Sequence, residues 1–173
     1  MKKAVFMDRD GVINQSLVKN GKPYPPPNLG TVKILSGVLE SLKALRDANW
    51  MVIVVTNQPD VARSITSMDE VEKINEYLKY YLPIDEFYTC YHDNEDLCDC
   101  RKPMPGSLTS AAKNNNIDLN NSYMVGDRWS DIEAGKRAGC KTFFIDYNYK
   151  EKQPLDFTYR VNSLSEAVDI ILG

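Results

Sequence analysis

Residues 51–58 read MVIVVTNQ. Five apolar residues, four of them β-branched, follow one another with no polar alternation. That is the pattern of a strand buried on both faces, as parallel sheets require. Just before it, GVLESLKALRDA at 37–48 spaces Val and Leu at helical intervals, with Ser36 expected as the N-cap. Outward from this unit the alternation continues. Further strands are expected at KAVFM (3–7), EFYTCY (86–91), SYMVG (122–126) and CKTFFI (140–145). Further helices are expected from the capping-box pattern at Ser67–Glu70 to about Tyr81, from Pro105-Gly106 to about Lys113, over 131–138 with Gly139 as the stop, and over 164–172. PYPPP at 23–27 reads as a constrained loop, since its prolines exclude helix and central strand.

Strand-helix alternation predicts an α/β fold: a doubly wound, mostly parallel sheet with helices on both faces, a flavodoxin-like three-layer sandwich. The 173 residues suit one domain, 1–173, and the connections are too short to hold a cap domain. The formal net charge of −3, with no run of Lys or Arg, argues against nucleic acid as a partner. No stretch is long and apolar enough for a membrane span, and MKKAVFMDRD returns to charge too soon for a signal peptide. A cytoplasmic monomer with reduced thiols is expected.

In such sheets ligands bind beyond the carboxyl ends of the strands. Asp8 and Asp10 follow the first strand, on a turn released by Gly11, and two carboxylates at that spacing can converge on one cation. Thr56, Asn57 and Gln58 follow the second, where a hydroxyl can meet a phosphate oxygen. Arg101 and Lys102 precede a helix start and offer a planar fork and a point charge to phosphate. Asp127 closes the fourth strand with Asp131 four residues on, which suits a metal and its outer shell. Each motif alone has a plain reading as a turn or a solvated face. Their joint order, each at a strand end, is what carries weight.

On these residues (Asp8, Asp10, Thr56, Lys102, Asp127 and Asp131) the chain resembles the haloacid-dehalogenase-like phosphatase superfamily. CYHDNEDLCDCRKP at 90–103 adds Cys90, His92, Cys98 and Cys100, three thiolates and one imidazole. They form a closed structural zinc set at 90–100, with no ligand position left for catalysis. Cys140 stands apart and reads as an ordinary buried thiol. The zinc loop together with GDRWSDIEAG looks like the D-glycero-D-manno-heptose 1,7-bisphosphate phosphatase family, with histidinol-phosphate phosphatases as the nearest alternative. A phosphotransferase is a further alternative. Pro59-Asp60-Val61-Ala62-Arg63-Ser64 departs from that family's Ser-Gly start after TNQ.

The resemblance implies a magnesium-dependent phosphatase acting on a small phosphorylated sugar. Asp8 is then the nucleophile and Asp10 the general acid and base. Thr56 and Lys102 grip the transferring oxygens. Asp8, Asp10 (through its carbonyl) and Asp127 hold magnesium, and Asp131 supports Lys102 or a metal water. Asn57 and Gln58 belong to the substrate site, and Arg101 and Arg128 recognise the substrate beyond the reacting phosphate.

Overall fold

A computed structural model describes residues 1–173. Six strands form one parallel sheet: β1 (Ala4–Met7), β4 (Met51–Asn57), β5 (Glu86–Cys90), β6 (Tyr123–Gly126), β7 (Lys141–Ile145) and β8 (Tyr159–Val161), in the order β5-β4-β1-β6-β7-β8. A separate antiparallel hairpin, β2 (Leu17–Lys19) and β3 (Lys22–Tyr24), lies between β1 and the first helix. The helices are α1 (Val38–Asp47), α2 (Met68–Tyr81), α3 (Gly106–Asn115), α4 (Trp129–Ala138) and α5 (Leu164–Leu172).

Strand alternation divides the core in two. Val5, Met7, Val52 and Val54 face α1, α2 and α5 through Leu42, Leu45, Ile74, Leu78 and Ala167. Ala4, Phe6, Ile53 and Val55 face α3 and α4 through Leu108, Ala111 and Ala134. Both faces of the central strands are therefore dry, which is why their sequence shows no polar alternation. The three-layer sandwich expected from the sequence is present, with the Rossmann strand order rather than the flavodoxin one.

Chain order runs β1, β4, β5 to one side and then β6, β7, β8 to the other. The reversal opens a crevice beyond the carboxyl ends of β1, β4 and β6. No helix is long and apolar enough to cross a membrane.

Three local readings need correction. Ser36 does not cap α1: Gly37, at φ +78°, holds the N-cap position without a side-chain bond. Pro23 and Tyr24, read as the start of a loop, instead end a hairpin. Asn20 and Gly21 at its tip have φ of +53° and +78°, the paired left-handed geometry of a tight primed turn. Pro23 fits because a two-stranded ribbon leaves one side of each strand free. β8 completes the sheet at its edge and was not expected; its three residues are too short to give a pattern.

Candidate active site

Asp8 ends β1 and Lys102 precedes α3, 94 residues away in sequence, yet Lys102 Nζ lies 2.8 Å from Asp8 Oδ1. The same ammonium lies 2.7 Å from Asp131 Oδ1 and donates to the Val55 carbonyl at 2.6 Å. All three ammonium protons are thus used, and the residue is 3% exposed. Burial alone would depress the Lys102 pKa; the charges of Asp131 and Asp8 outweigh it and raise it. Lys102 therefore stays cationic.

The backbone of Lys102 is fixed as well. Asn57 Nδ2 donates to the Lys102 carbonyl at 2.9 Å, and Asn57 Oδ1 accepts the Lys102 N–H at 3.0 Å. Asn57 so clasps the loop to the end of β4.

The carboxylates of Asp8, Asp127 and Asp131 offer oxygens within 4.8 Å of one another. Burial, only partly offset by Lys102, lifts the Asp8 pKa to about 7. Burial and the neighbouring charges of Asp8 and Asp131 lift Asp127 well above the usual carboxylate range. Asp127 Oδ1 is buried with no partner at all. Three converging acids against one ammonium, with an orphaned oxygen among them, are what a small hard cation such as magnesium satisfies. The donor set fits the ion.

The Asp10 side chain lines the same cavity but is not part of that cluster. It accepts from Arg9 Nε and Nη2 (3.2 and 3.3 Å), from Asn14 Nδ2 (2.9 Å) and from Gln58 Nε2 (2.9 Å). Gln58 also donates to Thr56 Oγ1 at 2.9 Å. Arg9 is fully buried and reaches Asn75 on α2 through Nη1 at 2.9 Å. Arg9 and Asn75 escaped the sequence reading. A lone arginine in an acidic turn gives no sign that it points inward.

A cavity of about 530 Å³ opens over these groups, lined by Asp8, Asp10, Asn57, Arg101, Lys102 and Asp131, with Lys22 and Tyr24 of the hairpin on one wall. Thr56, Gln58 and Asp127 lie just behind it, each at most 1% exposed. Gln58 therefore faces Asp10 and Thr56 rather than open cavity. Four further cations reach the wall: Lys22, Arg63, Arg101 and Arg128. Arg128 is held by both oxygens of Glu151, at 3.0 and 2.6 Å, which neutralises much of its charge. Arg63 is clamped by Asp93 at 2.7 Å through two nitrogens, and this contact holds Asp93 down to about 2. Arg101 bonds the Asn94 amide oxygen at 2.8 Å and pairs with no carboxylate, nor does Lys22.

Cys90, His92, Cys98 and Cys100 cluster beside this wall, all three thiols free. Cys90 and Cys98 Sγ are 3.7 Å apart, Cys98 and Cys100 3.5 Å, and His92 Nδ1 lies 3.3 Å from Cys100 Sγ. Tetrahedral zinc with Zn–S of ~2.3 Å needs ligand edges of roughly this length; the Cys90–Cys100 pair, at 2.9 Å, is the one sulfur edge that would have to open. Cys140 is buried and remote, as expected.

Known proteins share much of this sequence and fold. Residues 99–167 match the HAD-hydrolase-like family model. The D-glycero-beta-D-manno-heptose-1,7-bisphosphate 7-phosphatase of Pasteurella multocida is 37% identical, covering all of this chain and 98% of that protein. The Helicobacter pylori (strain J99) protein of the same name is 31% identical over 98% of this chain and 97% of its own. Among solved structures, D,D-heptose 1,7-bisphosphate phosphatase from B. bronchiseptica, complexed with magnesium and phosphate, superposes with a TM-score of 0.84 at 26% identity, covering 98% of each chain.

Proposed function

The chain belongs to the heptose-1,7-bisphosphate 7-phosphatase family of HAD-like phosphatases, and from that premise we propose that it removes the 7-phosphate of D-glycero-D-manno-heptose 1,7-bisphosphate through a phospho-aspartate on Asp8. The observation that carries the chemistry is the Lys102 ammonium fixed between Asp8 and Asp131 beside the unpartnered oxygen of Asp127.

Lys102 bonds Asp8 Oδ1 and leaves Oδ2 to attack phosphorus. The bond from phosphorus to the C7 oxygen breaks, and Asp10, as general acid, gives a proton to that oxygen. Asp10 then takes a proton from the water that attacks the phospho-aspartate, releasing inorganic phosphate and restoring Asp8. Arg9, Asn14 and Gln58 keep the Asp10 carboxyl in one place through both transfers. Lys102 would exchange its bond to Asp8 Oδ1 for a transferring oxygen as the phospho-aspartate forms, and the Thr56 hydroxyl, which accepts from Gln58 and keeps its own proton to give, would hold another. Asp8, Asp127 and the Asp10 carbonyl would hold magnesium. When bound, the ion neutralises charge between nucleophile and phosphate and stabilises the charge that spreads over the equatorial oxygens. Zinc on Cys90, His92, Cys98 and Cys100 would be structural, fixing the loop that aims Arg101 and Lys102. The chain works as a single capless domain, its pocket walled by the hairpin, the 59–66 loop and the zinc loop.

The second phosphate of a bisphosphate needs a cation away from the reacting centre. Arg101 and Lys22 are the wall cations without a carboxylate partner; Arg128, engaged by Glu151, is a weaker candidate than its sequence position suggested. The test compares kcat/KM for the bisphosphate, the heptose monophosphate and histidinol phosphate. The bisphosphate is expected to lead. Histidinol phosphate turned over at least as efficiently would overturn the substrate assignment.

A further inference from the structure

The stretch between β7 and β8 carries none of the motif residues, yet it touches the site at four points. Tyr147 Oη donates to the Gly11 carbonyl at 2.9 Å. Tyr149 Oη donates to Asp127 Oδ2 at 2.8 Å. The Lys150 N–H donates to the Gly21 carbonyl at the hairpin tip at 2.8 Å, and Glu151 holds Arg128. Asn148, at φ +56°, turns the chain between the two tyrosines, and one short segment so reaches the catalytic turn, an acid of the metal cluster and the pocket wall.

Asp127 is gripped from two sides. One is the bare Cα of Gly11, where a Cβ would fall 2.0 Å from Oδ2 and 2.6 Å from Cγ. The other is the Tyr149 hydroxyl, on a side chain only 7% exposed. With Oδ2 so engaged, Oδ1 is left as the free donor.

We propose that Tyr149 is a positioning residue that sets metal affinity: its hydroxyl holds Asp127 Oδ2 so that Oδ1 faces the other acids of the cluster. The inference rests on reading Asp127 as a metal ligand. A carboxylate torsion is broad and two-fold, so the side chain needs a fixed partner to hold one orientation. It also lies beside two like charges that push it away. A phenol suits the task because it donates a hydrogen bond without bringing a cation that would compete with the metal. Outer-shell partners of this kind typically contribute about 10- to 100-fold in metal affinity.

The test is Mn2+ titration of magnesium-free protein with its zinc set loaded, followed by electron paramagnetic resonance, on the parent, Tyr149→Phe, Tyr147→Phe and Asp127→Asn. Phe fills the same volume at both tyrosines. The expected result is a Kd raised about tenfold or more in Y149F, near the parent value in Y147F, and binding lost in D127N. At saturating metal, the substrate KM of Y149F should stay within about twofold of the parent, which a general loosening of the site would not give. Parent-like Kd in Y149F alongside loss in D127N overturns the positioning role and leaves the ligand reading standing. Equal weakening in Y147F and Y149F overturns it too, since strap packing alone would then be responsible. Normal metal binding in D127N removes the ligand reading and the inference with it.

Discussion

Asp131 Oδ1 lies 2.7 Å from Lys102 Nζ, and its Oδ2 accepts the Arg128 N–H at 3.0 Å. One carboxylate thus closes the N-terminus of α4 and anchors the site ammonium. Both side chains are 1% exposed. Asp131→Asn keeps the shape but halves the charge available to Lys102. Weakening a buried pair typically costs about 3 kcal/mol or more. In a chain of this size that corresponds to a Tm fall of roughly 6–12 °C. Calorimetry should show that fall together with a lower kcat.

Asp8→Asn should abolish turnover while the fold survives. The amide oxygen can still accept from Lys102, but the group cannot serve as the anionic nucleophile. Loss of a covalent nucleophile costs several orders of magnitude. Acid-quenched mixtures should show a stable phosphoryl adduct on neither the variant nor its Lys102. A residual rate within tenfold of the parent, about 1.4 kcal/mol of barrier, would exclude Asp8 from that role.

The same substitution bears on stability. Burial lifts Asp8 from 3.8 to about 7, so its neutral form is favoured in the folded protein. A raised folded pKa means stability that is complete below the unfolded value and lost as pH rises toward the folded one. Metal-stripped protein should therefore have a lower Tm at pH 8 than at pH 5, and D8N should flatten part of that slope. Magnesium should restore more stability at pH 8 than at pH 5, because the site is already deprotonated there.

Zinc is expected at one atom per chain on Cys90, His92, Cys98 and Cys100, measured by elemental analysis of untagged protein purified without chelators. Removing it should lower activity by freeing the loop that carries Lys102, and added magnesium should not repair the loss. A Cys98–Cys100 disulfide in the native protein would refute the site.

What was legible in the sequence follows from physical range. Asp8, Thr56 and Asp127 could be placed because apolar runs marked the strands and each residue sits at a strand end, where the fold itself brings them together. Lys102 could be placed only by motif, since nothing local says that its ammonium crosses to Asp8. The cluster of Cys90, His92, Cys98 and Cys100 stood out by spacing. Arg9 gave no inward signal, and Tyr149 meets Asp127 across 22 residues of unpatterned chain. The hairpin did carry a local mark in Asn20-Gly21, but it lacks the alternating hydrophobic flanks that give that dipeptide its force. Its Lys22 and Tyr24 on the cavity wall were missed for the same reason.

The wall cations make the last prediction. A bisphosphate presents a second anion to Arg101 and Lys22, whereas a small aryl phosphate ends before reaching them. Contacts remote from the reacting atoms matter only for substrates that make them. Arg101→Ala and Lys22→Ala should each lower kcat/KM for the heptose bisphosphate by about tenfold, within the range of a charge-assisted hydrogen bond. Aryl phosphate turnover should change by less than about twofold in K22A, since Lys22 sits on the hairpin and bonds no catalytic residue. Arg101 adjoins Lys102, so R101A also tests whether the loop stays in place, and its zinc content serves as the control. Arg128→Ala should weaken the bisphosphate less than either, because Glu151 already takes both arms of that guanidinium. If R128A proves the most damaging of the three, the distal phosphate displaces Glu151 and the recognition site lies over α4 instead.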